Sequence, residues 1–266
     1  MTTKKRKPVP VQQTLEPATV SEGGGVRYLH LGTPWIQGAM RVRKPQSIEL
    51  EYVQRMMAWM LLRPSDQLTE GHAVQLGLGA AAITKFCHGQ LRMRTTAVEL
   101  NDTVISACRL WFHLPPDDER LSVLHEDAAR YVEAVQYIGT ADVLCVDLYD
   151  HEAAAPVLDD DAFYRGCHRL LADGGVMSVN LFGRDASFER SAARIEAAFG
   201  PGRLATLKPT KEGNTIVLAW KGFDLPERSV LAARAENIDT RFKLPATKWL
   251  RLLAPFVSSP SKSPKS

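Results

Sequence analysis

Five apolar runs of strand length recur through the middle of the chain, at "AVQLGL" (73–78), "TTAVEL" (95–100), "LSVLH" (121–125), "ADVLCVDL" (141–148) and "VMSVNLF" (176–182). Helix-like segments separate them: "AAAITKFCHG", "DTVISACRLWF", "AARYVEAVQY" and "DDAFYRGCHRLLA". Alternation of this kind requires crossover connections, and crossovers join parallel strands with helices packed on both faces. Strands covered on both faces lose the in–out alternation of a half-solvated sheet and read as continuous apolar runs, as these mostly do. An α/β domain with a largely parallel sheet is therefore expected.

The chain does not end its sheet in that way. After the helix-like "SFERSAARIEAAF", the stretch "RLATLKPTKEGNTIVLAW" places two strand-like runs around Glu212, Gly213 and Asn214, a hairpin signal. A mostly parallel sheet closed by an antiparallel hairpin is the arrangement of class I methyltransferase-like, Rossmann-like α/β folds. A dinucleotide-binding domain would continue with another parallel crossover. Ahead of the sheet, "VRYLHLG" and "WIQGAMRV" read as a small β-hairpin turning at Gly32, Thr33 and Pro34. "SIELEYVQRMMAWMLL" then has helical spacing, with Ser47 placed to cap its start. The expected organisation is a disordered tail at 1–24, hairpin and helix at 25–70, the cofactor-binding domain at 71–225, helices at 226–257 and a second tail at 258–266.

Composition narrows the function classes. Hydrophobic residues make up 45% and charged residues 24%, enough for a sizeable core. Of the formal net charge of +3, six positives are Lys4, Lys5, Arg6, Lys7, Lys262 and Lys265, so the body without them carries −3. That argues against a nucleic-acid-binding surface. No apolar run approaches the ~20 residues of a membrane span. The basic start leads into "PVPVQQTLEP", which lacks the apolar stretch of a signal peptide, so a cytoplasmic protein is expected. The four cysteines (Cys87, Cys108, Cys145 and Cys167) show no metal-ligand spacing and suit a reducing compartment. No metal is expected.

In an open α/β sheet, ligands bind at the carboxyl ends of the strands, so the residue ending each strand is informative. The first ends in Gly77 and Gly79, where missing side chains let backbone N–H groups face a ligand, though a tight turn needs glycine with or without one. The second ends in Glu99, twenty positions beyond Gly79, able to accept both ribose hydroxyls or to stand as a surface carboxylate. The third is followed by Asp127, which can take an adenine amino group, cap the helix beginning at Ala128, or do both. The fourth ends in "VDLYD", where Asp147 and Asp150 make an acidic mouth suited to a cationic substrate.

Taken together, "AVQLGLG", "AVELNDTVI", "LHEDAARYV", "DVLCVDLYD", "DDAFYRGCHRLLADGGVMSVNLF" and the leading "WIQGAMRV…IELEYVQRMM" resemble the spermidine synthase (polyamine aminopropyltransferase) family over roughly residues 27–222. The resemblance implies a β-rich N-terminal segment before a methyltransferase-like domain, a homodimer, and transfer of an aminopropyl group from decarboxylated S-adenosylmethionine to an amine such as putrescine. It implies that Gln37, Gly77, Gly79, Glu99, Asp127 and Ala128 hold the nucleoside. Asp147 would be the catalytic carboxylate that orients and deprotonates the amine, and Asp150, Tyr52 and Tyr149 would line the amine site.

Two motifs depart from that family. Its glycine loop reads glycine-glycine-glycine-aspartate-glycine-glycine, against Gly77, Leu78, Gly79, Ala80, Ala81 and Ala82 here. The aspartate that would repel the carboxylate of undecarboxylated S-adenosylmethionine is thus Ala80. The family's aspartate-proline-x-glycine-proline loop is "DHEAAAP", where His151 is either an extra base or a solvent-facing histidine. Two other readings stand beside aminopropyl transfer: S-adenosylmethionine-dependent methylation of a small polar substrate, and a non-catalytic nucleoside or polyamine binder.

Overall fold

The computed structural model describes residues 15–149, 158–182 and 186–256. In chain order these form β1 (Ala18–Gly23), β2 (Val26–Leu31), β3 (Gly38–Arg41), α1 (Glu51–Met56) running into a 3₁₀ turn at Met57–Leu61, and β4 (His72–Leu76). Next come α2 (Ala82–Lys85), β5 (Arg94–Glu99), α3 (Asp102–Trp111), β6 (Leu121–His125), α4 (Ala128–Glu133), β7 (Ala141–Val146) and α5 (Asp161–Leu170). The chain continues through β8 (Leu171–Phe182), α6 (Ala186–Phe199), β9 (Leu204–Leu207), β10 (Asn214–Trp220), α7 (Arg228–Phe242), α8 (Ala246–Leu252) and β11 (Leu253–Pro255).

The main sheet has eight strands in the order β11-β9-β10-β8-β7-β4-β5-β6, parallel from β8 through β6 and antiparallel from β8 through β11. This is the mostly parallel, hairpin-closed architecture read from the strand pattern. Strand order reverses between β4 and β7, so the ends of those two strands form the natural ligand crevice. One face is covered by a core that includes Met56, Trp59, Trp220, Ile238 and Trp249. The other face packs Tyr131, Tyr164, Leu170, Ile195 and Phe199 from α4, α5 and α6. Local caps agree with the sequence: Asn101 accepts the N–H of Thr103 at 3.1 Å and Asp160 that of Phe163 at 2.7 Å, satisfying backbone donors that a helix start leaves unpaired.

Three expectations are corrected. Residues 18–23, placed in the tail, form β1, which pairs with β2 in register Ala18–Leu31 to Gly23–Val26 and makes the N-terminal sheet three-stranded. The strand is held from outside itself: Ala18 N–H donates to Thr103 Oγ1 at 2.8 Å, and Asn101 Nδ2 donates to the carbonyl of Glu16 at 2.8 Å. Ser47 does not cap α1; its hydroxyl closes a turn onto Lys44 O, and Leu50 stands at the helix start without a side-chain cap. The 226–257 segment is not wholly helical, because β11 adds an edge strand against β9. The rest of the tails at 1–14 and 257–266, together with Asp150 and His151, lie outside the described residues.

Among the described residues no helix is long and apolar enough to cross a membrane, and no group of His, Cys, Asp or Glu is placed to hold a metal ion.

Candidate active site

β4 ends in a turn that no side-chain-bearing residue could make at its first position. Gly77 has φ of +84°, and a Cβ built there would be driven into the backbone carbonyl oxygen of Asp147. The glycine-loop position and the end of β7 therefore touch backbone to backbone, which is what glycine permits. A second close approach seats β3 on the same loop. A Cβ on Gly38 would stand 2.6 Å from Ala80 Cβ, so its absence brings Gln37 over Gly79.

Beneath the loop lies a buried glutamine. Gln75 Nε2 donates to the carbonyls of Gly77 at 2.7 Å and Leu78 at 3.3 Å, while Oε1 accepts the hydroxyl of Thr84 at 2.6 Å. Its donors are both used, so the amide fixes the loop without leaving an unsatisfied polar group in the sheet. Gln37, Gly38, Tyr52, Gln75, Ala80 and Asp147 line a cleft with about 310 Å³ of empty space, open to solvent, and Leu50, Val53 and Ile83 give it apolar walls.

Three of the carboxylates read from strand ends, Glu99, Asp127 and Asp147, lie at or just beyond the carboxyl ends of β5, β6 and β7. Glu99 sits beside the glycine loop: Oε2 accepts Leu78 N–H at 2.8 Å and Oε1 accepts Asn101 N–H at 2.9 Å. Burial pushes its carboxyl up from the ordinary range, and the backbone donors, led by Leu78, pull it back. Asp127 caps α4, with Oδ1 accepting Ala129 N–H at 2.8 Å, and Ala128 is buried next to it. Asp147 receives two side-chain donors, Asn180 Nδ2 on Oδ1 at 2.9 Å and Tyr52 OH on Oδ2 at 3.2 Å. Burial raises its carboxyl above the usual range, countered first by Asn180 and then by Tyr52. Tyr52 itself is pushed well above 10 by burial and by the Asp147 charge, so it remains a donor at neutral pH.

Gln37, Gly79, Tyr52 and Asp147 thus come together at one cleft, with Gly77 underneath and Glu99 behind Leu78. Tyr149 does not join its walls. Its hydroxyl donates to the carbonyl of Asn180 at 2.9 Å and accepts the N–H of Phe182, which ties the segment after β7 to β8. Sequence reasoning missed Gln75, Thr84, Asn180 and Asn214. The available signal was a polar residue interrupting an otherwise apolar strand, at position 75 in β4 and position 180 in β8.

Residues 84–189 match the sequence model of the spermine/spermidine synthase domain. The polyamine aminopropyltransferase of Neisseria meningitidis serogroup A is 30% identical over 227 residues, spanning 85% of this chain and 84% of that protein. The chain belongs to the polyamine aminopropyltransferase family. Solved structures agree on the fold. A probable spermidine synthase from Corynebacterium glutamicum superposes with a TM-score of 0.67 at 17% identity, covering 98% of this chain and 100% of that one. A spermidine synthase in complex with the transition state analogue AdoDATO gives 0.59 at 17% identity, covering 93% and 95%. Within this aminopropyltransferase family, the chain's cleft lies where its glycine loop meets the end of β7.

Proposed function

We propose that this chain transfers the aminopropyl group of decarboxylated S-adenosylmethionine to a small amine such as putrescine, with Asp147 as the catalytic carboxylate. The observation that carries the reading is Asp147 itself: half-buried, held on both oxygens by uncharged donors, at the mouth of a cleft floored by a nucleotide-type loop. The family relationship supports aminopropyl transfer over methylation or simple binding. The residues fit an adenosyl sulfonium. Each oxygen of Glu99 accepts one backbone N–H and keeps acceptor capacity for a ribose hydroxyl, and Asp127 caps with Oδ1, leaving Oδ2 as the oxygen for an adenine amino group.

Asp147 would hold the incoming ammonium and take one of its protons. The freed nitrogen lone pair then forms a C–N bond to the methylene beside the sulfonium. The C–S bond breaks with both electrons going to sulfur, and neutral 5′-methylthioadenosine leaves. The sulfonium is already an activated leaving group, so positioning supplies much of the rate and no covalent enzyme intermediate is needed. Because Asp147 must be ionised and burial raises its carboxyl, activity should fall on acidification at a pH above the ordinary aspartate value of 3.8. Adding putrescine to protein loaded with decarboxylated S-adenosylmethionine should release 5′-methylthioadenosine. Release that ignores the amine would overturn the reading.

Glu99→Ala should weaken 5′-methylthioadenosine binding by about 1.5–3 kcal/mol, the range for hydrogen bonds to charged groups. Unchanged affinity by calorimetry would remove Glu99 from the nucleoside site. Ala80, buried at 4% exposure against Gly38, carries no charge to repel a carboxylate, whereas an aspartate ~4 Å from one would impose roughly 4 kcal/mol at an effective dielectric near 20. S-adenosylmethionine and its decarboxylated form should therefore bind within about tenfold, or ~1.4 kcal/mol, of each other. A preference of a hundredfold or more, about 2.8 kcal/mol, would mean that another residue selects the co-substrate.

A further inference from the structure

Asp147 is the end of a longer chain of donors. Thr210, in the connection between β9 and β10, accepts the backbone N–H of Asn214 on Oγ1 at 3.2 Å and turns its hydroxyl proton towards Asn214 Oδ1 at 3.4 Å. A second bond, Thr210 N–H to Asn214 O at 2.8 Å, clamps the same pair. With Oδ1 of Asn214 taken, its Nδ2 points at Asn180 Oδ1, 3.1 Å away. That contact leaves Asn180 Nδ2 to face Asp147 Oδ1 at 2.9 Å. Every side-chain link donates in one direction, from the hairpin to the carboxylate. All three relay side chains are buried, with Asn180 at 4%, Thr210 at 6% and Asn214 at 8% exposure. β8 and β10 create the geometry: Asn180 lies opposite Ile216, so Asn214 is its diagonal neighbour on the paired strand.

We infer that Asn214, backed by Thr210, is a positioning residue for the transfer reaction: it fixes the orientation of the Asn180 amide so that an N–H, never a carbonyl oxygen, faces Asp147. An amide free to rotate would spend part of its time presenting oxygen to oxygen, which repels the ionised carboxylate, whereas a donor stabilises it. Buried chains of aligned hydrogen bonds also polarise one another, so the far end matters to the near one. The inference rests on the reading of Asp147 as the group that receives the amine proton.

The other titratable groups facing Asp147 among the described residues are Tyr52 from α1, Cys145 from β7, and Tyr149 just beyond β7. Burial is the leading cause that raises each of these, well away from the acidic range. Burial also raises Glu99, whose titration is read separately from the pH dependence of 5′-methylthioadenosine binding, so the acid limb of kcat/KM for the amine at saturating co-substrate reports Asp147. Asn180→Leu should move that limb of kcat/KM upward by about one to two pH units, the equivalent of one hydrogen bond to a charged group. Asn214→Leu, which touches neither Asp147 nor the cleft walls, should move it in the same direction by a smaller amount with 5′-methylthioadenosine affinity unchanged. A structural role alone would lower the melting temperature of Asn214→Leu and leave the limb in place, and that result would overturn the inference. Should either variant fail to fold, the unaltered protein gives the answer by NMR. As the Asp147 carboxyl titrates, the side-chain amide resonances of Asn180 and Asn214 should shift with its midpoint, and an unresponsive Asn214 amide would equally overturn the inference. The amide titration does not depend on turnover, so failure of the relay is distinguishable from failure of Asp147 as base, which the Asp147→Asn rate decides.

Discussion

Asp147→Asn should slow turnover by about 10²–10⁴-fold, the span associated with losing a positioned acid–base group, while 5′-methylthioadenosine binds as before. The substitution preserves shape and removes charge. It also dictates its own orientation: the new NH₂ must avoid Asn180 Nδ2, which now donates to Oδ1, and so takes the place of Oδ2 facing Tyr52. The tyrosine hydroxyl can accept as well as donate, so the local network survives and the loss falls on the chemistry. Steady-state rates with saturating co-substrate measure this directly. Wild-type turnover in a folded variant would reduce Asp147 to a structural residue.

Gly77→Ala should be the most disruptive glycine-to-alanine change among the described residues. It combines a left-handed backbone, φ +84°, with a steric conflict against the carbonyl oxygen of Asp147. The conformational cost for a residue with a Cβ is about 1–2 kcal/mol, and forcing a methyl into a filled space adds about 1–3 kcal/mol. A loss of about 2–5 kcal/mol is a large share of the 5–15 kcal/mol typical of a folded domain. Chemical denaturation should show that loss, and the surviving folded protein should have both weaker nucleoside binding and slower turnover, because one contact serves loop and carboxylate. A variant as stable and active as the parent would show that loop and β7 are not in register through this contact.

What the sequence revealed about the site follows from how each residue is supported. Glu99 and Asp147 were legible as positions because a charged residue at the end of a buried strand stands out from the apolar run, and Asp127 because an Asp just ahead of a helical segment suits its cap, a role it takes at the start of α4. Their partners were not. Gln75, Asn180 and Asn214 sit inside strands, where a single polar letter reads as a blemish until strand pairing shows that each meets another buried polar group. Tyr149 went the other way. The family resemblance assigned it to the amine site, whereas its hydroxyl bonds the β8 backbone, a partnership that only the strand pairing shows.

The fold divides similarly. The five parallel strands declared themselves because burial on both faces writes apolar runs into the sequence. β1 did not, since "ATVSEG" buries little of its own surface and is held by β2 and by Thr103 of α3, information that resides in its partners. The start of α1 was misplaced for a related reason: Ser47 has a hydroxyl suited to capping but spends it on the turn at Lys44.

Aminopropyl transfer is tested most directly by product identity. The protein should be supplied with putrescine and with S-adenosylmethionine and its decarboxylated form together, and the products separated by mass spectrometry. The account predicts that 5′-methylthioadenosine and an amine extended by one aminopropyl group appear in equal amounts, even though both co-substrates bind. S-adenosylhomocysteine with a methylated amine, and no methylthioadenosine, would contradict it.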